Sequence, residues 1–179
     1  MWDLLVRFQD EDLPEEFYDD WLVVAGEETK HFNKWRGRLA DLGFNYGDFP
    51  IHDYLWDAAF ITRHSLLERL VLVHCVFEAR GLDVYPTTRS KMERVGDITS
   101  IEIMDENVQE EVGHVGRAVK WVRFLCERDG LDETEMFHSI VTKLYHGGKL
   151  PPPFNLEMRD AAGMPREWYE PLAKPHRNS

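Results

Sequence analysis

The chain has 179 residues, a net charge of -12 and 43% hydrophobic residues. This length suits one domain with a sizeable core, and the acidic balance argues against general affinity for nucleic acid or anionic membranes. The sequence shows neither an apolar run of membrane-spanning length nor a signal-peptide pattern. Cys75 and Cys126 lie in helical segments and are expected as buried, reduced thiols. We therefore expect a single-domain cytoplasmic protein without membrane association.

Apolar residues recur at spacings of three and four along most of the chain, which predicts helices and no strand. The predicted helices cover residues 1–8, 15–42, 64–95, 98–128 and 132–145. Residues 44–63 form a long connection with a short helix near 53–59. Residues 147–179 form an irregular tail with short helices near 156–162 and 166–172 and a frayed end.

The third helix is expected to be interrupted. Residues 81–86 begin with glycine and end with Pro86, so the helix should break there and resume at residue 87. Two antiparallel hairpins joined by one long crossover are the layout of ferritin-like bundles. We therefore predict an all-α, ferritin-like four-helix bundle with a fifth helix and an irregular C-terminal tail.

Two Glu-x-x-His pairs lie on the apolar stripes of the second and fourth helices. Glu28 and His31 form the first pair, and Glu111 and His114 form the second. A third match, beginning at Glu135, falls beside the apolar stripe of its helix and is interpreted as chance. Burying carboxylates is costly unless a cation or good internal partners compensate them. The two inward pairs therefore indicate a metal site.

Glu78 is a third inward carboxylate, on the third helix. If the third and fourth helices form an antiparallel pair that turns near residues 94–97, Glu78 and Glu111 are equidistant from the turn and lie level. The same reasoning for the first hairpin places the partner of Glu28 upstream of Met1. One carboxylate of the usual six-ligand dimetal set is therefore expected to be missing from this chain.

Three further residues are candidates for positions near the metal that do not bind it directly. His74 lies one turn before Glu78, although a core histidine bonded to a neighbour is the commoner role. Arg80 could neutralise the carboxylates or bind an anionic substrate, and a structural salt bridge is the alternative. His52 could equally cap a turn in the crossover.

Several segments of the sequence carry a family resemblance, among them EETKHF, EARGLD and EEVGHV. The segments are residues 27–32, 46–53, 78–83, 96–97, 110–115, 153–155 and 161–163. Through them the chain resembles the ferritin-like family called domain of unknown function 455 and, more distantly, the non-haem iron hydroxylase that modifies tRNA. The family's longer first helix, with its own inward glutamate, implies that this chain starts part-way along that helix. The implied metal ligands are Glu28, His31, Glu78, Glu111 and His114.

Carboxylates and imidazoles suit iron, manganese or zinc. We expect two iron sites bridged by Glu28 and Glu111. Glu78 and His114 would complete one site, while His31 would bind the second ion at an incomplete site. With iron, the expected activity is that of an oxygen-dependent oxidase or hydroxylase acting on an unidentified small-molecule or macromolecular substrate.

Other interpretations stay open at this point. The chain could be a non-catalytic or truncated ferritin-like scaffold that binds a partner, or the Glu-His pairs could form a buried ionic network without metal. tRNA modification would require a basic entry surface, which the acidic composition disfavours. A homo-oligomer in which a neighbouring subunit covers exposed helix faces is a further alternative.

Overall fold

A computed structural model describes residues 1–175 of the chain, and most of these residues are helical, with irregular segments at residues 42–53 and 149–155 and one isolated β-bridge. The α-helices are α1 (Trp2–Arg7), α2 (Glu15–Asp41), α3 (Tyr54–Ile61), α4 (Leu66–Arg69), α5 (Ala79–Val95), α6 (Ile98–Asp129), α7 (Glu133–Leu144), α8 (Leu156–Ala161) and α9 (Arg166–Tyr169). A π-helix, Leu70–Glu78, joins α4 to α5, and short 3₁₀ turns cover His146–Gly148 and Glu170–Leu172. The predicted all-α fold class is confirmed. The expected fraying of the chain end falls mostly on residues 176–179, outside the described residues.

The predicted interruption of the third helix is wrong, because the chain stays helical through Pro86 to Val95. Pro86 has no N–H with which to bond the carbonyl of Leu82, one turn earlier. The side-chain amide of Asn155 donates to that carbonyl at 3.2 Å instead. Leu82 is fully buried, so this bond prevents an unsatisfied buried carbonyl and allows the helix to continue.

The tail that carries Asn155 is held against α5 by a buried ion pair. The guanidinium of Arg159 donates to both carboxylate oxygens of Asp83, at 2.8 and 2.7 Å, and both residues are buried. The backbone N–H of Asn155 donates to the same carboxylate at 2.9 Å. Because the charges are paired and hydrogen-bonded, their burial is tolerated, and the pair fixes the tail beside Pro86.

Helices α5 and α6 form an antiparallel pair around a tight turn. Gly96 adopts a φ of +70°, in the left-handed region that favours glycine, and ends α5. The side chain of Asp97 accepts a bond from the N–H of Ser100 at 3.0 Å and caps α6. Glu78 and Glu111 line one cleft.

The core is built around the long helix α6. Helix α6 contacts α2, the π-helix, α5 and α7, and α8 closes against α5 and α6. The largest fully buried side chains are Phe17, Trp21, Trp121, Phe137, Trp168 and Tyr169. Within the part of the chain that the structure describes, no helix is both long enough and apolar enough to cross a bilayer.

Candidate metal centre

Helices α2 and α6 lie side by side and bring the two Glu-x-x-His pairs together. The imidazoles of His31 and His114 are buried and face each other, with ring centroids 5.7 Å apart. Glu28, Glu111 and His114 offer ligand atoms that all lie within 4.8 Å of one another. The apolar stripes that were read from the sequence therefore converge on one polar cluster.

Each of the two central carboxylates reaches both imidazoles, one oxygen to each ring. The oxygens of Glu28 lie 3.2 Å from Nδ1 of His114 and 3.9 Å from Nδ1 of His31. The oxygens of Glu111 lie 3.5 Å and 3.3 Å from the same two nitrogens. Nδ1 of each imidazole therefore faces oxygens of both carboxylates.

The outer nitrogen of each imidazole is anchored by a glutamate of the opposite helix. Nε2 of His31 lies 2.7 Å from a carboxylate oxygen of Glu110, and Nε2 of His114 lies 2.9 Å from one of Glu27. When these nitrogens carry the ring protons, both Nδ1 lone pairs point into the cluster, which is the tautomer that a metal ligand needs. The apolar spacing of the sequence does not reveal the anchoring role of either glutamate. The available signal was the repeated Glu-Glu-x-x-His pattern.

Three buried polar atoms of the cluster make no hydrogen bond of good geometry, although carboxylate oxygens lie 3.2–3.5 Å from the two imidazole nitrogens among them. They are Nδ1 of His31, Nδ1 of His114 and Oε2 of Glu78. Leaving a buried polar atom unpaired is costly, so such atoms call for an explanation such as a ligand or an ion. All three belong to residues that the sequence predicts as metal ligands, and their donor chemistry fits iron, manganese or zinc.

Glu78 lines the same cleft but is not among the residues whose ligand atoms lie within 4.8 Å of one another. It stands at the end of the π-helix, a distortion that is frequent at functional sites. Its Oε1 lies 2.9 Å from Nδ1 of His74, one turn earlier, and the His74 ring packs on Trp21 with centroids 4.4 Å apart. His74 is thus a buried histidine bonded to a neighbour, and that neighbour is a predicted metal ligand.

The close carboxylates shape the protonation of the cluster. Burial lowers the pKa of His114, but the carboxylates of Glu111 and Glu28 outweigh it and raise the pKa to about 10. Burial raises the pKa of Glu111, and the negative charges of Glu28 and Glu78 raise it further. Burial also acts to raise the pKa of Glu28, yet the contact with His114 leaves it lowered. The cluster therefore holds concentrated negative charge that a bound cation would offset.

Two candidate residues lie elsewhere. His52 is exposed in the crossover and stacks on Tyr54, with centroids 5.1 Å apart. Arg80 points to the tail, where it donates to the carbonyls of Pro151 at 2.8 Å and Pro153 at 3.1 Å. Neither residue lines the cleft that opens onto the cluster. The structural alternative for Arg80 is observed, since its guanidinium also lies 3.6 Å from the carboxylate of Asp83.

The third Glu-x-x-His match takes no part in the cluster. Glu135 is exposed on α7, and Nε2 of His138 lies 2.9 Å from the carbonyl of Glu167. The interpretation of this match as chance is confirmed.

A cleft of about 960 Å³ opens onto the cluster. Glu28, Glu78 and Glu111 contribute to its lining, together with His31 and His74. The remaining walls are mostly apolar and include Trp2, Phe32, Trp35, Leu55, Trp56 and Phe77. The polar cluster is therefore accessible from one side, through an apolar cleft.

The fold and the site define an all-helical protein in which part-buried carboxylates and buried imidazoles form a cluster between two long helices. A family model described as a protein of unknown function (DUF455) matches residues 1–170, and the chain belongs to this family. An uncharacterised protein of Haemophilus influenzae is 39% identical over 127 residues. The match covers 71% of this chain and 44% of that relative, so the chain spans less than half of the relative's length. A comparison with solved structures finds no significant match.

Proposed function

We propose that this chain carries a ferritin-like, carboxylate-bridged dimetal centre and that, with iron bound, it acts as an oxygen-dependent oxidase or hydroxylase. The observation that carries the proposal is the position of Glu28 and Glu111, each of which offers one oxygen to either imidazole. Two protein ligands that share one ion at bond lengths of about 2.1 Å lie roughly 3.0–3.4 Å apart. Three of the four nitrogen–oxygen distances fall near this range, so small side-chain movements would complete the coordination.

The proposed ligands divide between two ions. Glu28 and Glu111 would bridge them, His114 and Glu78 would complete one ion, and His31 would bind the other. The second ion has fewer protein ligands and is expected to bind more weakly, with water at its open positions. Nearby, the carboxylates of Glu27 and Glu110 would hold the protons of the ring on the outer nitrogens and keep the two imidazoles correctly turned.

The metal and the side chains of the protein would have separate roles in the reaction. Bound iron would supply the reduction of dioxygen. The chain's own residues hold the ligands at fixed spacing, and the contact between His74 and Glu78 orients the third carboxylate. The apolar cleft admits a substrate to the one accessible side of the cluster and limits water there.

The first test is the metal content of the chain purified without chelator and of two single variants. We expect about one to two equivalents of iron or manganese in the wild type. Glu111→Ala should lose most of this metal because it removes a bridging ligand, whereas Glu135→Ala should retain it because Glu135 is exposed on α7. Circular dichroism would establish that all three chains are folded.

Equal metal content in the two variants, or a folded wild type that binds no metal, would contradict the dimetal centre and favour the buried ionic network. Oxygen consumption by the iron(II)-loaded chain tests the catalytic part separately. If iron binds but no oxygen is consumed above the level of free iron, the metal site stands and the oxidase assignment fails.

A further inference from the structure

We propose that Arg80 is a positioning residue for the candidate metal centre. Through Arg80, the tail segment of residues 151–159 holds the start of α5, so that the carboxylate of Glu78 can serve as a metal ligand. The identity of Glu78 as a ligand rests on the proposed function. The hold of the tail segment on α5 rests on hydrogen bonds between the described residues alone.

The carboxylate of Glu78 stands apart from the three residues whose ligand atoms lie within 4.8 Å of one another. Its Oε1 lies 2.9 Å from Nδ1 of His74, and its Oε2 is buried without a hydrogen-bond partner. A side chain extends a fixed distance, in a direction set by its own helix. The contacts that hold the backbone at residue 78 therefore decide whether Glu78 can bind an ion that the other ligands share.

Residue 78 lies at a junction between two kinds of helix. The π-helix ends at Glu78, and α5 begins at Ala79. The two helices turn by different angles per residue, so the direction of the side chain at the junction depends on where one gives way to the other. The π-helix is buried in the core from Leu70 to Val76. The start of α5 is instead held by polar contacts with the tail.

Arg80 makes the tail contact closest to this junction, two residues after Glu78. Its Nη1 donates to the carbonyl of Pro151 at 2.8 Å and to that of Pro153 at 3.1 Å. The buried ion pair between the tail and α5 lies further along the helix. Because the side chain of Arg80 is 31% exposed, a substitution there should leave the buried pair in place and the chain folded.

A cation at this position can affect metal binding in two ways, and they have opposite signs. As a charge near the cluster, Arg80 would repel a bound cation, so its removal would tighten metal binding. As a positioning residue it keeps Glu78 in place, so its removal would weaken metal binding. The guanidinium faces backbone carbonyls of the tail segment, which contributes no residue to the described lining of the cleft. These contacts favour the positioning role.

Zinc affinity, measured by competition with a metal-binding dye, distinguishes the two signs. We expect Arg80→Ala to lower the affinity about tenfold, as is common for residues that orient a ligand. Arg80→Lys should recover part of this loss, because both carbonyls accept from one nitrogen, which an ammonium group can replace. The matched control is Arg94→Ala, where the guanidinium donates to the carbonyl of Ser90 within α5 at 3.3 Å. It should leave the affinity unchanged.

A double-mutant cycle with Glu78→Ala shows whether Arg80 acts through Glu78. In the Glu78→Ala background, Arg80→Ala should have little further effect, because the ligand that it positions is absent. An equal loss in both backgrounds would reveal a general effect on the fold and would overturn the proposal. Unchanged or tighter zinc binding by Arg80→Ala alone would also overturn it. Arg80→Gln replaces Arg80→Ala in the cycle if circular dichroism shows that the alanine variant is unfolded.

A measurement on the metal-free chain separates failure of this proposal from failure of the proposed function. Amide hydrogen exchange over residues 74–82 should be faster in Arg80→Ala than in Arg94→Ala, because the junction has lost its nearest tail contact. If the wild type binds no zinc, the proposed function fails, and exchange alone decides whether the tail segment holds the junction. Unchanged exchange over these residues would overturn that hold. If zinc binds but the cycle shows no coupling, only the positioning role fails.

Discussion

Each of the two histidines of the cluster is held by a glutamate from the opposite helix, α2 or α6. The glutamate that precedes the inward glutamate on each helix anchors the imidazole of the other helix, at 2.7 Å for Glu110 and His31 and at 2.9 Å for Glu27 and His114. These two hydrogen bonds fix the separation of the helices and the direction of both Nδ1 atoms. Such anchoring contacts are commonly as important to metal affinity as the ligands themselves.

Removing one anchor should weaken metal binding without removing a ligand. We expect Glu110→Ala to lower zinc affinity about 10- to 100-fold, because His31 loses the bond that orients its ring. The matched control is Glu106→Ala, one turn earlier on α6, where the carboxylate pairs with Lys34 at the surface. Competition with a metal-binding dye would measure both. Equal affinities for the two variants would show that the anchor has no role.

At the scale of elements, a bond from the tail explains how the third helix passes through proline. Asn155 supplies the donor that Pro86 cannot, and its side-chain oxygen also accepts from the N–H of Met158 to cap α8. The tail therefore completes the hydrogen bonding of a helix that delivers Glu78 to the cluster. Sequence rules for proline capture only the bond that is lost.

A double-mutant cycle tests this compensation. Asn155→Ser keeps a capping side chain but is too short to reach Leu82, so it should destabilise the fold by about 1–3 kcal/mol through the unpaired carbonyl. In the Pro86→Ala background the helix can supply its own N–H, and the same substitution should cost clearly less. Urea denaturation would measure all four chains. Equal costs in the two backgrounds would contradict the compensation.

For the whole molecule, an acidic chain with a net charge of -12 also concentrates carboxylates at a part-buried site between α2 and α6. In the metal-free protein, the positive charge of His114 offsets part of this internal charge, which is why its pKa is raised to about 10. A bound cation would take over that role and would require neutral imidazoles. Protons and metal therefore compete for the same cluster, and stability should depend on both.

This competition predicts a pH dependence with a definite sign. The folded-state pKa of His114 lies above its ordinary value of 6.5, so its stabilisation of the metal-free protein is complete below that pH and is lost as the pH rises toward about 10. Zinc, which needs the deprotonated ring, should therefore raise the melting temperature more at pH 8.5 than at pH 6.5, values chosen roughly to span this window. Thermal melts with and without zinc, at both pH values, would measure the difference. A zinc effect that shrinks as pH rises would contradict the prediction.

Much of the fold could be predicted from local sequence. Helix positions follow from apolar spacing and from capping residues such as Asp97 and Gly96, which act within a few residues of chain. The same spacing predicts that Glu28 and Glu111 face the neighbouring helix, because the geometry of a helix fixes the direction of each side chain on it. Placing Glu78 level with Glu111 required only a short antiparallel turn.

Only the tertiary structure decided the contacts between distant segments. The anchors join residues 79 and 87 positions apart, and the bond from Asn155 to Leu82 spans 73. Arg80 donates to the carbonyl of Pro151 in the tail, a contact that apolar spacing does not predict. Local periodicity fixes the direction of a side chain on its own helix. Which partner it meets depends on how helices and tail pack, because a hydrogen bond forms only when packing brings donor and acceptor within reach.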